Sequence, residues 1–414
     1  MWILALGGVV VPARGQAESE APPSRQSGAS VVRWRDLVRL VEHHPRVAGA
    51  RFDEQAARAG VDAAGAAPNP TLEGTIGRGA ERGGNASRLE WGLSLTIPLD
   101  WIARRSARVR TARADVQAVA ASSKALRQDV LLQLGVLFWR VAYEQARLEA
   151  LQHIAGQTHA LARAVHARVR QGEVSPIEGT RVDVEVERLA MELETVQTQL
   201  AAKRRQLGLW FNLPDTRGLV VDASIEALPP TVPLREARVR ARTFHPQVLA
   251  GIAQLRALES AVGEARSERV PSFSVAGFTD HELDRRAYGA GLSVDLPLWN
   301  WNTGAVQRAE SRLAAERLRA QAAVRDVESD VIERQAECQV ALQVAARYQR
   351  RVLPASEQAA RMVFRTYELG EAPLLDVIDA RRTVLETRSR YLEALATAHI
   401  QCGLLRILVG DLPS

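Results

Sequence analysis

The sequence contains the same pattern twice, about 200 residues apart. Four landmarks recur in the same order: His44-Pro45 and His245-Pro246, Pro70 and Pro271, Leu93–Leu99 and Leu292–Leu298, Gly172-Glu173 and Gly370-Glu371. Solenoid repeats have periods of roughly 20–50 residues, so this period indicates something else. It predicts two similar halves that lie side by side in a pseudo-symmetric arrangement. These are repeat 1 at 34–214 and repeat 2 at 234–414, joined by a linker at 215–233.

Each repeat is predicted to contain the same elements. A helix comes first, and after a proline-bounded break two short strands follow. A very long helix comes next, and then a glycine turn and a return helix. The predicted spans are first helices 34–67 and 234–269, strand pairs 71–97 and 272–296, long helices 103–171 and 301–369, turns at Gly172 and Gly370, and return helices 173–212 and 371–410.

The long helices are the most unusual predicted element. Residues 103–171 contain no proline, and residues 301–369 contain only Pro354. At about 1.5 Å per residue, each helix would be roughly 100 Å long. Apolar residues at 3- and 4-residue spacing along 130–142 form a stripe for packing against other helices. Because such helices do not stand alone, we expect them to pack around a common axis as a helical tube.

The predicted strands alternate apolar residues with polar or small ones. In repeat 1 the apolar positions are Leu89, Trp91, Leu93, Leu95 and Ile97. Nine residues with one apolar face match the ~9–11 residues of a strand in a membrane barrel. Four strands cannot close a barrel, and open edges are not tolerated in lipid, so we expect a trimer with 12 strands. The alternative is a small sheet that caps a soluble coiled coil.

The first residues are predicted to be an export signal. Residues 2–12 form a short apolar run, and residues 13–17 supply the small residues that a signal peptidase needs. The basic segment that normally precedes such a run is missing, so the alternatives are a start codon assigned too late and a plain hydrophobic tail. We expect residues 1–17 to be a signal peptide and 18–33 to be flexible. No run of 18 consecutive apolar residues occurs later in the sequence, so no transmembrane helix is predicted.

Composition excludes several classes of protein. The chain is 46% hydrophobic, so it is not disordered, and its 5% aromatic content means that its apolar residues are mostly Ala, Leu and Val, which favours helices. The net charge is +6 and the cations are nearly all arginine, which fits a solvated helical surface or, alternatively, a nucleic-acid surface. Motifs of phosphate loops, zinc proteases and serine hydrolases do not occur. The sequence therefore predicts neither an enzyme nor a cofactor.

Two groups of residues invite a metal or disulfide interpretation. Cys338 lies 32 residues before Gly370, and Cys402 lies 32 residues after it. In an antiparallel hairpin the two would lie at the same height, which allows a disulfide in an oxidising compartment; two separate buried thiols are the alternative. His43-His44 precedes a proline, and we expect it to be a helix entry or an ordinary exposed loop. No stable metal site is predicted.

The sequence resembles the TolC family of outer membrane efflux proteins over nearly the whole chain after residue 30. The resemblance rests on Ala67-Pro68-Asn69-Pro70 before the first strand and on Pro297–Gly304 before the second long helix. The most specific segment is Tyr367–Ala380, around the second turn. The Pro-Asn-Pro-x-Leu segment at 68–72 and the Ser175–Glu178 turn look most like the CzcC-like branch, which serves heavy-metal cation efflux pumps.

The resemblance implies a mainly α fold with a small β portion. A two-fold repeat of long antiparallel helices and two β-hairpins would trimerise into a 12-strand outer membrane β-barrel and a periplasmic α-helical tunnel. The implied function is that of a passive conduit in a tripartite efflux system. The alternatives are the same channel in multidrug efflux or type I secretion and, in another class, a soluble coiled-coil scaffold.

The resemblance also implies partners. The chain would form a homotrimer in outer membrane lipid, and a periplasmic adaptor (membrane fusion) protein would link it to an inner membrane pump of the RND type. No nucleic acid partner is implied. The residues carried over as tip and adaptor contacts are Gly172, Glu173, Val174, Tyr367, Gly370, Glu371 and Ala372.

The aperture acids of the family fall on Asp376 and Asp379, six and nine residues after Gly370. Residues three apart share a helix face, so a trimer would hold two stacked rings of carboxylates. Such rings attract cations and repel anions. Two solvated helix carboxylates are the alternative. The matching positions of repeat 1 are Glu178 and Arg181, so no gating contact is carried over to that repeat.

Overall fold

The structure, a computed structural model, describes residues 31–80, 87–210, 216, 218–282 and 285–411. The predicted signal peptide at 1–17 and residues 18–30 of the predicted flexible segment lie outside the described residues. The described residues are mainly helical, with a small β portion and long antiparallel helices in two similar halves. This confirms the predicted mainly α fold with a small β portion.

The elements follow one another in the same order in both halves. Repeat 1 contains α1 (Trp34–Val41), α2 (Pro45–Gly65), β2 (Thr71–Ala80), β3 (Ser87–Pro98), α3 (Asp100–Arg170) and α4 (Pro176–Trp210), after a short strand β1 (Val31–Val32). The linker contains β4 (Val220–Val221). Repeat 2 contains α5 (Leu234–Phe244), α6 (Pro246–Ser267), β5 (Ser272–Glu282), β6 (Arg285–Asp295), α7 (Thr303–Arg347), a π-helical turn (Tyr348–Val352), α8 (Leu353–Glu368) and α9 (Leu374–Leu408).

The first helix of each repeat is broken, which corrects the single helices predicted at 34–67 and 234–269. The breaks fall at His44-Pro45 and His245-Pro246, where the histidines are extended, with ψ of 132° and 125°. The ring of a proline makes helical backbone angles unfavourable for the residue before it. Proline itself suits the first position of a helix, because the N–H that it lacks would have no partner within the helix there. Each histidine caps the new helix, since its Nδ1 accepts a hydrogen bond from the backbone N–H two residues on.

A small parallel sheet joins the N-terminal segment to the linker. Val31-Val32, predicted to be flexible, pairs with Val220-Val221. The side-chain amide of Gln145 on α3 accepts from the N–H of Val221 at 2.9 Å and donates to its carbonyl at 3.1 Å. Val32 and Val221 are buried in one cluster with Leu37. Burial of these β-branched side chains and the added hydrogen bonds offset the entropy lost on ordering the segment.

The four longer strands form one antiparallel sheet in the order β2-β3-β5-β6. The two hairpins meet at β3 and β5, where Ile97 pairs with Val275. One face of the sheet carries exposed apolar side chains from all four strands: Leu72, Ile76, Leu89, Trp91, Leu93, Leu95, Ile97, Phe273, Val275, Tyr288, Leu292 and Val294. The opposite face carries polar residues that include Glu73, Ser94 and Asp280. Among the described residues, β2 and β6 each pair on one side only, so both edges are open.

The long helices differ between the repeats. α3 is unbroken over 71 residues, which is about 100 Å. In repeat 2 the single helix predicted at 301–369 is instead α7, the π-helical turn and α8. Pro354 explains the change, because it has no N–H to donate and its ring clashes with a carbonyl of the preceding turn, so the hydrogen-bonding pattern widens just before it.

Packing along the bundle is divided into several clusters. In the cluster beside β1, the ring of Trp34 meets that of Phe138 edge to face, with centroids 5.8 Å apart, and Leu37 is fully buried. A separate cluster joins α3, α4, α8 and α9 near the two helix turns. No helix within the described ranges is both long and apolar enough to cross a membrane.

Candidate functional site at the helix turns

The two long helical hairpins end in turns of the same construction. We call residues 168–178 tip 1 and residues 365–376 tip 2. Gly172 and Gly370 have φ of 76° and 79°, in the left-handed region that favours glycine. At tip 1 the N–H groups of Gly172 and Glu173 bond the carbonyls of Val169 and Arg168, and tip 2 repeats this pattern. This double bond pattern is a Schellman motif, which ends a helix cleanly and reverses the chain.

Most of the residues predicted as tip contacts lie on the surface. Gly172, Glu173, Gly370 and Glu371 are exposed, and Val174 and Ala372 are half-buried. Their return helices begin at Pro176 and Leu374, which corrects the predicted starts at 173 and 371. The first residues after each glycine therefore lie outside the helices, with the two glutamates on the surface.

Tyr367 is placed differently from the other predicted tip contacts. It is only 7% exposed and lies in the cluster that joins the two hairpins, beside Val182 and Leu374. The guanidinium of Arg168 lies over its ring, 5.5 Å from the centroid. Burial raises the pKa of the Tyr367 hydroxyl. In this structure Tyr367 therefore holds tip 2 against tip 1 and is not part of the open tip surface.

Asp376 and Asp379 lie on one exposed face of the first turns of α9. The neighbouring Val377 and Ile378 are buried against the other hairpin, which fixes the direction of the acidic face. Asp379 lies 3.7 Å from Nη1 of Arg382 and its side chain is 60% exposed. Both carboxylates are therefore accessible to solvent, ions or another chain.

A buried carboxylate links the hairpins just above the tips, and the sequence analysis did not identify it. Glu185 on α4 is 4% exposed and accepts from Nη2 of Arg188 at 2.7 Å and from Nε of Arg382 on α9 at 2.9 Å. Burial opposes ionisation, but the hydrogen bonds from Arg188 and Arg382 outweigh it and lower the pKa of Glu185. The Glu185–Arg188 spacing is visible in the sequence, whereas Arg382 is 197 residues away, so no local pattern predicts this contact.

Cys338 on α7 and Cys402 on α9 form a disulfide in the structure, with their Cα atoms 4.8 Å apart. Both residues are fully buried. The bond joins the two arms of the second helical hairpin, far from its tip.

Of the adjacent pair His43-His44, the second residue has a structural role. His44 caps α2 and stacks on Trp210, with ring centroids 4.6 Å apart. Burial and the nearby charge of Arg46 lower the pKa of His44. Within the part of the chain that the structure describes, no three His, Cys, Asp or Glu residues are grouped so that they could hold a metal ion.

Comparison with known proteins identifies the family. The family model described as outer membrane efflux protein matches residues 37–210 and 238–411, once in each repeat. The cobalt-zinc-cadmium resistance protein CzcC of Cupriavidus metallidurans is 26% identical over 369 residues, which are 85% of this chain and 85% of that protein.

Solved structures share the fold. A membrane protein from Pseudomonas aeruginosa matches with a TM-score of 0.75 and 18% identity over 96% of this chain and 99% of its own. The open-state MtrE channel of Neisseria gonorrhoeae matches with a TM-score of 0.73 and 18% identity over 97% of this chain and 98% of its own. The resemblance found in the sequence is confirmed: this chain belongs to the TolC family of outer membrane efflux proteins, in its CzcC-like branch, and is located in the bacterial outer membrane with a large periplasmic portion.

Proposed function

We propose that the chain is a passive outer membrane channel of a tripartite efflux system that exports metal cations. The observation that carries this proposal is the four-stranded sheet at one end of the long helices. Its apolar face is exposed along every strand, and both of its edges are open. A surface of this kind requires lipid on the face and further strands at the edges.

A homotrimer satisfies both requirements. Joining the free β6 edge of one copy to the free β2 edge of the next closes a barrel after three copies. The strands span 10–12 residues, which suits a tilted membrane strand. The α3 helices and their counterparts in repeat 2 would continue the barrel as a tunnel of about 100 Å.

The tips are the proposed contact with the rest of the system. A periplasmic adaptor protein would bind the exposed residues Gly172, Glu173, Gly370 and Glu371 with their half-buried neighbours. The adaptor would connect the channel to an inner membrane pump of the RND type. The motifs of nucleotide-using enzymes do not occur in the sequence, so the energy for transport would come from the pump.

Two observations support a cationic cargo. The related CzcC is a cobalt-zinc-cadmium resistance protein and aligns over most of this chain. Asp376 and Asp379 are exposed on one face, so three copies would form two carboxylate rings at the tunnel entrance. The rings would attract cations without chelating them, which suits a conduit.

Two alternatives make different predictions. The same channel could serve multidrug efflux or type I secretion, since the pump mostly selects the cargo. A soluble coiled-coil scaffold is the alternative of another class, and the exposed apolar sheet face argues against it.

A susceptibility panel on a deletion strain tests the cargo. It would set zinc, cobalt, nickel, cadmium, copper and silver against dyes, detergents and antibiotics. We expect sensitivity to a few metals only, with restoration by the wild-type gene. Broad drug sensitivity would move the channel to a multidrug pump. Unchanged sensitivity to every compound, together with a loss of secreted protein, would favour type I secretion.

A further inference from the structure

We propose that Cys338 and Cys402 are a substrate site for a periplasmic disulfide-forming enzyme. Their oxidation would occur before the linker docks on the helices, and assembly of the chain in the outer membrane would depend on it. This inference concerns the maturation of the chain and does not depend on the cargo of the channel.

The first argument is access. Both cysteines have 0% exposure in the folded chain. The hydroxyl of Thr231, in the linker, lies 3.3 Å from Sγ of Cys338. The next residue, Val232, is buried in a cluster with Val331 and Leu405 from the two bonded helices. Thiol–disulfide exchange needs direct attack on an accessible sulfur, so the bond must form before the linker covers it.

The second argument is packing. The Cα atoms of the two cysteines are 4.8 Å apart, at the close end of the usual range for a disulfide. Two unbonded thiols each require their own van der Waals volume, so this helix separation suits the bond and crowds the reduced pair. Closely packed alanines, including Ala341 on α7 and Ala398 on α9, are buried on the same helices. The buried surroundings therefore leave little room for two separate thiols.

The two repeats differ at the positions of the disulfide. The turns are offset by 198 residues, which places Arg140 and Arg204 at the positions that correspond to Cys338 and Cys402. Only the second hairpin carries the bond. That hairpin also contains the π-helical turn, Tyr348–Val352, ten residues below Cys338. A π-helical turn interrupts the regular hydrogen bonds of a helix. The disulfide therefore ties the irregular arm of this hairpin, α7 with the π-helical turn, to α9.

The reaction is an ordinary thiol–disulfide exchange. Because Cys338 is exported first, its thiolate attacks the active-site disulfide of the enzyme; the enzyme's S–S bond breaks, and one enzyme sulfur leaves as a thiolate. The thiolate of Cys402 then attacks Sγ of Cys338, and the second enzyme sulfur leaves. The chain loses two protons and two electrons, and the enzyme becomes a dithiol.

The test compares two hosts, one with and one without the periplasmic disulfide-forming enzyme. The full-length chain and the double variant Cys338→Ser/Cys402→Ser are produced in both. Free thiols are trapped with a maleimide polymer, and the amount of protease-resistant chain in the outer membrane is measured. We expect the wild-type chain to have no free thiol in the first host. In the second host we expect two free thiols and a several-fold lower amount.

The double variant is the matched control, since it offers the enzyme no thiol. Its amount should be reduced equally in both hosts, and a further drop in the second host would overturn the proposal by showing an indirect effect. Cys402→Ser alone should trap a reducible adduct between Cys338 and the enzyme. Full oxidation of the wild-type chain in both hosts, equal amounts of oxidised and reduced chain, or absence of the adduct would each contradict the proposal.

Discussion

Replacing Glu185 with glutamine should loosen the contact between the two helical hairpins just above their tips. Glutamine keeps the shape of the side chain but removes the charge that binds Arg188 and Arg382. Of these contacts, only the one to Arg382 crosses between repeats, from α4 to α9. We call the arrangement in this structure, with the two hairpins in contact near the tips, closed, and an arrangement without that contact open. The closed arrangement should therefore lose stability, while each hairpin by itself is little changed.

The size of the effect follows from the exposure of the partners. A hydrogen bond to a charged group contributes about 1.5–3 kcal/mol. The side chains of Arg188 and Arg382 are 37% and 45% exposed, so water can replace part of the lost contact. We take ~2 kcal/mol for the contact between hairpins, after this discount. Since ~1.4 kcal/mol is a tenfold change, the ratio of closed to open tips should fall about 30-fold.

Single-channel recording in planar bilayers measures this ratio as the open probability. Glu386→Gln is the matched control, because Glu386 pairs with Arg390 on the surface of the same helix α9, with both side chains more than half exposed. Its effect should be within the small range of surface ion pairs. Equal open probabilities for wild type and Glu185→Gln would show that the Glu185–Arg382 contact does not stabilise the closed tips. Equal effects of the two variants would show the same.

The same contact predicts a response to acid. Burial opposes ionisation of Glu185, but the bonds from Arg188 and Arg382 lower its pKa below the ordinary value of 4.5. A group with a lowered pKa contributes stability that is fully present above its unfolded value and is lost as the pH falls through its folded value. Wild-type tips should thus open as the pH falls below about 4.5. Glu185→Gln should lack this component, and an identical pH response would contradict it.

Three further predictions concern the bond, the turn and the acids. Cys338→Ser/Cys402→Ser should lower the thermal midpoint of the purified channel, because a loop of this length gives about 4 kcal/mol in the chain-entropy model; an unchanged midpoint would contradict this. Gly370→Ala should cost about 1 kcal/mol in unfolding experiments through its positive φ alone, since no atom lies within 4 Å of the added Cβ, and asparagine there should cost less. Asp376→Ala/Asp379→Ala should raise conductance and weaken block by cations, and unchanged values of both would remove these acids from the aperture.

Periodic and conformational signals in the sequence predicted much of the fold. The alternation at Leu89–Ile97 and the glycines at both turns each reflect a local rule, so each is visible in one short segment, and the repeat is visible because the same landmarks recur in the same order. The His-Pro breaks follow from an equally local rule, that of the residue before proline. A helix entry was one expectation for His43-His44, but the predicted spans 34–67 and 234–269 placed both prolines inside single helices, so neither break was drawn.

The contacts between residues far apart in the sequence could not be predicted in the same way. Arg382 is 197 residues from Glu185, and the ordering of Val31 depends on Val220 in the linker. Tyr367 matched a tip motif, but whether it faces outwards or inwards depends on how the second hairpin packs on the first. Such features depend on tertiary packing, which periodicity does not encode.

Current recording from the purified chain in a planar bilayer tests most directly whether the chain is a passive, cation-preferring channel. The measurement needs no pump, adaptor or nucleotide, because the account assigns all energy coupling to partners. We expect discrete current steps and, under a salt gradient, a reversal potential of the sign set by cation flow. An absence of steps from correctly inserted protein, or a reversal potential set by anions, would contradict it.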